Sequence, residues 1–255
     1  MAFELSADDE SNRSLILRRH FQRRCATAQR AVRHAMFDFH LVFKYLPMLF
    51  EAAAVTVELT LLATVFGLVI GLGAALGRLS RHRVLRDATS AYIWLIRSTP
   101  LLVQLFIIYF GLPQFGIELS PFTSGVIGLA LNVGAYNAET IRAGILAIPH
   151  GQIEASRSLG FGAARTMRLV VLPQALKLIV PPLGNNLIIL TKDTSLVSTI
   201  TLAELFMRTQ QLVGATFKPF ELYFACAMIY ALLTTGTSMA LRQLEQRLIL
   251  KGGRA

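Results

Sequence analysis

Three charged side chains lie inside long apolar segments, where a charge is costly unless it faces a cavity or a partner. Arg97 stands in the apolar stretch that ends near residue 112, and Lys192 and Asp193 follow a run of leucine and isoleucine. A substrate with both an ammonium and a carboxylate needs neighbouring opposite charges, which these side chains supply. Alternatively, Lys192 and Asp193 neutralise each other or another helix, and Arg97 forms a structural salt bridge.

Two further polar groups occur in apolar segments. Glu139 and Arg142 stand three residues apart, so they share one face of a helix and can pair. This spacing favours a structural pair over direct substrate contact, and Glu139 is kept as a candidate pathway residue. Asn185 and Asn186 follow Pro181-Pro182. Because prolines free backbone carbonyls that asparagines can satisfy, we expect an irregular helix that lines a cavity.

Membrane-spanning helices are expected to hold these residues. The apolar fraction is 54% and the mean hydropathy is +0.54, above the usual level for a soluble domain. About 20 apolar residues cross the hydrocarbon, which predicts an all-α polytopic protein with about five spans. The spans are expected near residues 52–76, 88–112, 122–146, 178–202 and 220–241, with a kink at Ser98-Thr99-Pro100 beside Arg97.

Basic residues set the expected orientation. They concentrate after spans one, three and five, so these regions, the C-terminus included, are predicted to be cytoplasmic. An odd number of spans then places the N-terminus outside, against the arginines of a basic arm at residues 1–36. A re-entrant segment at 37–50 would return this arm, expected to be disordered or surface-lying, to the inside. The net charge of +10 is therefore topological, and no nucleic-acid partner is expected.

A polar loop at about residues 147–169 interrupts the apolar segments. Pro149 ends the preceding helix, and Glu154 is favourable in the first turn of a new short helix that Gly160 stops. The small side chains of Ala155 and Ser156 allow close approach to another protein, while Arg157 is exposed. This pattern predicts a docking helix. An ordinary positive-inside loop is the alternative.

The same loop resembles that of ABC importer permeases. Glu154-Ala155-Ser156, Gly160, Val170 and Leu172-Pro173 match the family's Glu-Ala-Ala loop in register, with Ser for the second Ala and Val for Ile. Three further runs resemble the polar amino-acid branch: residues 97–104, in which Ser98 replaces the usual Gly, residues 136–142, and residues 181–195.

The resemblance covers residues 37–250, with 251–255 a basic tail. It implies a type I ABC importer permease fold, and a bacterial inner-membrane location. It also implies a second permease subunit (the same or a homologous chain), two ABC ATPase subunits docked on the loop, and an extracytoplasmic solute-binding protein, all assembled in the lipid bilayer.

A non-catalytic subunit that imports a polar amino acid or related zwitterion by alternating access is therefore expected. The chain has no phosphate-binding Gly-x-x-x-x-Gly-Lys-Ser/Thr loop, so ATP hydrolysis is assigned to a partner. Cys25 and Cys226 show no metal or disulfide spacing, and neither a cofactor nor a metal is expected. The alternatives are an ion-driven secondary transporter that uses Glu139 and Asp193, and a membrane scaffold, which leaves the buried charges unexplained.

Overall fold

The computed structural model describes residues 38–251, with side chains described as far as residue 247. The basic arm at 1–36 and residues 252–255 lie outside the described residues. The chain divides into two units at Lys44 and Tyr45. In the first, Asp38 Oδ1 accepts a hydrogen bond from Leu41 N at 3.1 Å, which caps the first helix. All other contacts given below lie within the second unit.

The described residues form helices without strands. In chain order the α-helices are α1 (Phe39–Arg78), α2 (Arg83–Ser98), α3 (Leu101–Phe106), α4 (Pro121–Leu146), α5 (His150–Ser158), α6 (Ala163–Thr166), α7 (Leu172–Asp193), α8 (Leu205–Thr216) and α9 (Pro219–Lys251). Short π-helical turns follow α3 and α6, at Ile107–Gly111 and Met167–Val171, and 3₁₀ turns lie at Leu112–Phe115 and Thr194–Ile200.

Three helical runs are long and apolar enough to cross a membrane: Phe39–Arg78, Ala163–Ile200 and Pro219–Arg247. Arg83–Ser98 and Leu101–Phe115 together qualify as a fourth, broken span. The remaining long helix, α4, has 26 residues, or roughly 39 Å at about 1.5 Å per residue, but Asn132, Asn137, Glu139 and Arg142 lower its hydropathy. The architecture is that of an all-α polytopic membrane protein, with about five long helical units.

The expected single span at 88–112 is broken rather than kinked. Its two halves meet at an angle of 107°, because Pro100 lacks a backbone N–H and holds Thr99 in an extended conformation (φ −117°, ψ 144°). Buried Gln104 takes up carbonyls freed by the break: its Nε2 donates to Ile96 O at 2.8 Å and Thr99 O at 3.1 Å. The side-chain amide thus replaces the missing helical hydrogen bonds.

The expected irregularity at Pro181-Pro182 is absent, since α7 continues through both prolines. Close packing on either side holds its course: Gly144 of α4 lies against Ile179, and Gly184 lies against Leu241 of α9. The irregular turns fall instead just before and just after α7. Residues 163–171 belong to the same continuous run as α7.

The core lies around α4. One buried cluster joins α4 to α1, α3, α7 and the 3₁₀ turn after α7, through Leu59, Leu105, Leu129, Leu190 and Val197. A second joins it to α1, α2 and the base of α7 through Ala75, Ile93, Ala138 and Ala175. Gly67 and Gly71 allow α1 to approach the α4 backbone, as small residues do in membrane helices.

Candidate functional site

A cavity of about 360 Å³, here called the central cavity, opens beside α4 at the broken span. Its polar lining consists of Thr99 at the break, Asn132 and Tyr136 on α4, and Asn186 and Asp193 on α7; apolar side chains form the rest. A volume of this size lies in the range of small-molecule sites, which combine mainly apolar walls with a few placed polar groups.

Asp193 is the charged residue of the central cavity. It ends α7 and is half-buried. Within residues 38–247 its carboxylate has neither a hydrogen bond nor an ion pair. A partly desolvated, unpaired carboxylate in a membrane protein is unfavourable unless a cation visits it. The cavity can therefore receive a cationic group.

Two amide pairs fix other polar side chains of the cavity wall. Asn186 Nδ2 donates to Oδ1 of buried Asn137 at 2.9 Å, and Asn132 Nδ2 donates to Gln104 Oε1 at 3.0 Å. Each of these NH₂ groups has a second hydrogen, so Asn186 and Asn132 keep a donor for a ligand. The Gln104 contact also ties the cavity wall to the break in the span.

A second cavity of about 440 Å³, here called the arginine cavity, lies further along α4. Its polar lining includes Arg78, Ser90, Arg97, Tyr136 and Glu139. Tyr136 thus lines both cavities. The guanidinium of Arg97 lies over the Tyr136 ring, 5.3 Å from its centroid.

Glu139 is paired inside this second cavity, as its spacing to Arg142 predicts. Arg142 Nη2 donates to Glu139 Oε2 at 2.9 Å, and Arg142 Nε donates to Oε1 at 3.2 Å. Arg78 Nε lies 3.7 Å from Glu139 Oε1, and Arg78 also donates to the Ser90 hydroxyl. The carboxylate is held between two arginines and is less available to a ligand than that of Asp193.

The structure does not bring all the expected pathway residues together. Lys192 lines a third cavity, of about 520 Å³, with Ser195, Tyr223 and Tyr230. Consecutive helical residues point about 100° apart, because a turn holds about 3.6 residues, so Lys192 and Asp193 face different sides of α7. Arg97 and Glu139 lie in the arginine cavity. Asn185 is exposed and lines none of these three cavities.

Glu204 is a polar centre that the sequence analysis missed. Its side chain is fully buried and caps α8 by accepting from Phe206 N at 2.9 Å and Met207 N at 2.8 Å. Tyr230 of α9 donates to the same carboxylate at 2.9 Å, and Thr56 of α1 donates at 3.4 Å. One carboxylate therefore joins three helices. The sequence contained one signal for this role: an acidic residue lies between Leu202 and Leu205, directly before a helix.

The polar loop contains the short helix that its sequence predicts, α5, but this helix begins at His150, so Glu154 lies beyond the first turn where it was expected. Gly160 (φ +79°) ends it, with Gly160 N donating to Arg157 O and Phe161 N to Ser156 O, the paired bonds of a Schellman motif. Glu154, Ala155 and Arg157 are exposed. Ser156 is not: its hydroxyl lies 2.9 Å from that of Thr166 and is buried. Ser156 is therefore directed at α6 and fastens α5 to it, rather than being exposed.

A helical membrane protein with polar cavities beside its central helix has the form of a transporter subunit. Residues 67–250 match the family described as the inner membrane component of binding-protein-dependent transport systems. The chain belongs to this family.

Relatives agree with the match. The chain is 43% identical over 203 residues to the L-cystine transport system permease protein TcyB of Bacillus subtilis strain 168, covering 79% of this chain and 87% of the relative. It is 38% identical over 214 residues to the glutamine transport system permease protein GlnP of Escherichia coli strain K12, covering 83% and 98%.

Solved structures agree as well. A structure described as an amino acid ABC transporter with histidines has a chain that is 43% identical and superposes with a TM-score of 0.79, covering 83% of this chain and 99% of that chain. Inward-facing MetNI methionine transporter structures, at 22% identity, a TM-score of 0.68 and 80% and 98% coverage, share the fold.

The chain is accordingly a permease subunit of an amino-acid ABC importer, with the type I importer fold. It is a multi-pass inner-membrane protein and a transport component, and ATP hydrolysis belongs to a separate subunit. The family implies an ATPase, a solute-binding protein and a second permease subunit as partners. These findings give no support to an ion-driven secondary transporter.

Proposed function

We propose that the central cavity holds the amino acid during its passage and that Asp193 binds the ammonium group. The observation that carries this proposal is the half-buried, unpaired carboxylate of Asp193 in a cavity with spare amide donors. The second hydrogens of the Asn132 and Asn186 amides suit the substrate carboxylate. Arg97 and Glu139 line the next part of the pathway, and Lys192 and Asn185 stay outside it.

The loop of α5, with Glu154, Ala155, Arg157 and Gly160 at its surface, is proposed as the docking site of the ATPase. Its attachment supports a lever: Ser156 fastens α5 to Thr166 of α6, and α6 begins the continuous run Ala163–Ile200 that contains Asp193. A displacement of α5 is thereby transmitted along one helix to the cavity. Alternating access of the cavity to the two sides of the membrane would follow from that movement.

Orientation and assembly complete the proposal. The basic residues of the α1–α2 loop, of the α5–α6 region and of the C-terminal tail support a cytoplasmic location for these segments and the C-terminus. Two ATPase subunits would dock on two permease subunits, the second being a copy or a homologue, and an extracytoplasmic binding protein would deliver the amino acid. The preference for a polar amino acid or related zwitterion rests on the polar, charged lining of the central cavity.

The test is Asp193→Asn in the assembled complex, with uptake of labelled L-glutamine and L-cystine measured against concentration. Loss of one charge-assisted hydrogen bond costs on the order of 1.5–3 kcal/mol, a roughly ten- to hundredfold loss of affinity at about 1.4 kcal/mol per decade. Asp87→Asn, at an exposed carboxylate beside Arg83, is the matched control. Unchanged half-saturation for Asp193→Asn, with normal assembly, would contradict the assignment.

A further inference from the structure

The central cavity and the arginine cavity are consecutive along α4. On this helix the first is lined by Asn132, Val133 and Tyr136, and the second by Tyr136 and Glu139. Asn132 and Glu139 are separated by roughly 10 Å along the axis, at about 1.5 Å per residue, and Tyr136 stands between them. The arginine cavity is nearer the end of α4 that leads into the α5 loop. A solute that moves from the central cavity toward that loop therefore meets the Tyr136 ring.

A cation–π contact ties the ring to the end of α2. The Arg97 guanidinium lies over its face, and within residues 38–247 the phenol hydroxyl has no hydrogen bond. Tyr136 is 42% exposed, so its side chain is only partly packed. Arg97 is exposed and forms no salt bridge among the described residues, although the Glu139 carboxylate in the same cavity interacts with it electrostatically. A cation–π contact of this kind can open without breaking a hydrogen-bond network.

The position of Arg97 couples the ring to the break in the span. Arg97 is in the last turn of α2, two residues before Thr99, where the chain bends by 107° into the next helix. Gln104 holds that bend and also binds Asn132 in the central cavity. A change in the bend would move the guanidinium relative to α4, which carries the ring.

We propose that Tyr136, held by Arg97, is the gate between the two cavities and closes the pathway to the solute in this conformation. The inference rests on the proposed function in one respect, that the solute occupies the central cavity. The aromatic ring of Tyr136 blocks the passage, and the Arg97 guanidinium holds the ring in that position. The phenol hydroxyl is not required.

The experiment uses the full-length chain assembled with its ATPase in liposomes. The vesicles are loaded with the labelled L-amino acid that the wild-type complex accumulates with ATP, and its efflux is then measured without ATP. Tyr136→Ala is expected to raise this ATP-independent efflux at least tenfold and to lower uptake per ATP. Tyr136→Phe should show no faster ATP-independent efflux than wild type, because the ring remains. Arg97→Gln should give an intermediate efflux, because the ring stays but loses its partner.

The matched control is Tyr223→Ala. Tyr223 is 38% exposed, a fraction similar to that of Tyr136, but its side chain lines the third cavity. Loss of the Tyr223 ring should therefore not cause leakage. Equal retention of the labelled amino acid by wild-type and Tyr136→Ala complexes would overturn the proposal that Tyr136 is a gate. Equal leakage from Tyr136→Phe and Tyr136→Ala would overturn it as well. If Tyr136→Ala fails to assemble, the efflux of the Arg97→Gln complex tests the proposal instead, since an exposed side chain tolerates this change. Retention of the amino acid by the Arg97→Gln complex at the wild-type level would then refute the proposal. Asp193→Asn should not leak, so its uptake defect tests the cavity assignment separately.

Discussion

Replacing Glu204 by leucine should destabilise the fold more than any conservative change at that position. The substitution keeps an apolar side chain of similar size but removes the acceptor of two backbone N–H groups and two hydroxyls. The Thr56 hydroxyl has another acceptor in Ala52 O, and the Tyr230 hydroxyl can rotate. The N–H groups of Phe206 and Met207 have fixed directions and remain unsatisfied in a buried site.

The magnitude follows from those two donors. A buried donor left without an acceptor costs about 1–3 kcal/mol, so Glu204→Leu should lower the free energy of unfolding by about 2–6 kcal/mol. Glu204→Gln retains one acceptor oxygen, which can serve Met207 N, while its NH₂ group faces Phe206 N. One donor is then lost, and the expected cost is about 1–3 kcal/mol. The order wild type, glutamine, leucine is the prediction.

Thermal unfolding in detergent, followed by the loss of the monodisperse elution peak, measures the order. Glu118→Leu, at an exposed residue, controls for the loss of a negative charge. Uptake per ATP in surviving Glu204→Gln complexes should stay near wild type, because the carboxylate lines none of the three cavities described. A Glu204→Leu protein as stable as wild type would refute the reasoning, since buried donors would then be satisfied by other means.

Three paired substitutions test other parts of the structure. Gly71→Val should reduce stability by about 1–3 kcal/mol, because an added Cβ meets Asn137 Cβ at 2.7 Å and Gly134 O at 3.0 Å, whereas Gly73→Val meets open space and should keep the wild-type unfolding temperature. Gly160→Ala forces alanine into a left-handed conformation at φ +79°, which costs about 1–2 kcal/mol, and should lower uptake per ATP. The control Gly162→Ala, at φ −71°, should leave uptake per ATP unchanged. Equal uptake per ATP in the two variants would show that α5 does not transmit the movement. Lys192→Met should change the half-saturation concentration for uptake less than about twofold, unlike Asp193→Asn. Added to Asp193→Asn, it should not restore the lost uptake. Restored uptake in the double variant would show that the two charges pair structurally.

Much of the helical framework could be predicted because it depends on local pattern. Apolar runs locate α1, α9 and the run that contains α7, and Pro149 with Gly160 bounds α5. The spacing of Glu139 and Arg142 gives their ion pair, since residues three apart meet on any α-helix. The position of the break at Pro100 also follows from sequence. Its 107° angle does not, because it depends on how Gln104 and the packing of α3 against α4 hold the two halves.

The arrangement of the polar side chains required the tertiary structure. Adjacent Lys192 and Asp193 look like one site in the sequence, but the rotation of α7 against α4 and α9 sends them into different cavities. Ser156 has the size of a docking residue, yet the fold of α6 back onto α5 buries it. Glu204 and Thr56 are 148 residues apart in the chain. No local pattern relates such residues, because each contact is set by the packing of whole helices.

The low hydropathy of α4 is explained by its surroundings. Helix α4 is packed against α2, α3 and α7 and against Gly67 and Gly71 of α1, and Tyr92 of α2 donates a hydrogen bond to its Leu131 carbonyl at 2.7 Å. Its polar side chains meet other protein groups: Asn132 binds Gln104, Asn137 binds Asn186, and Glu139 binds Arg142. A helix enclosed by others does not need the apolar surface that lipid demands, so it can carry polar groups at membrane depth. Helix α4, which does not qualify as a membrane span by its hydropathy, therefore contributes wall residues to both the central cavity and the arginine cavity.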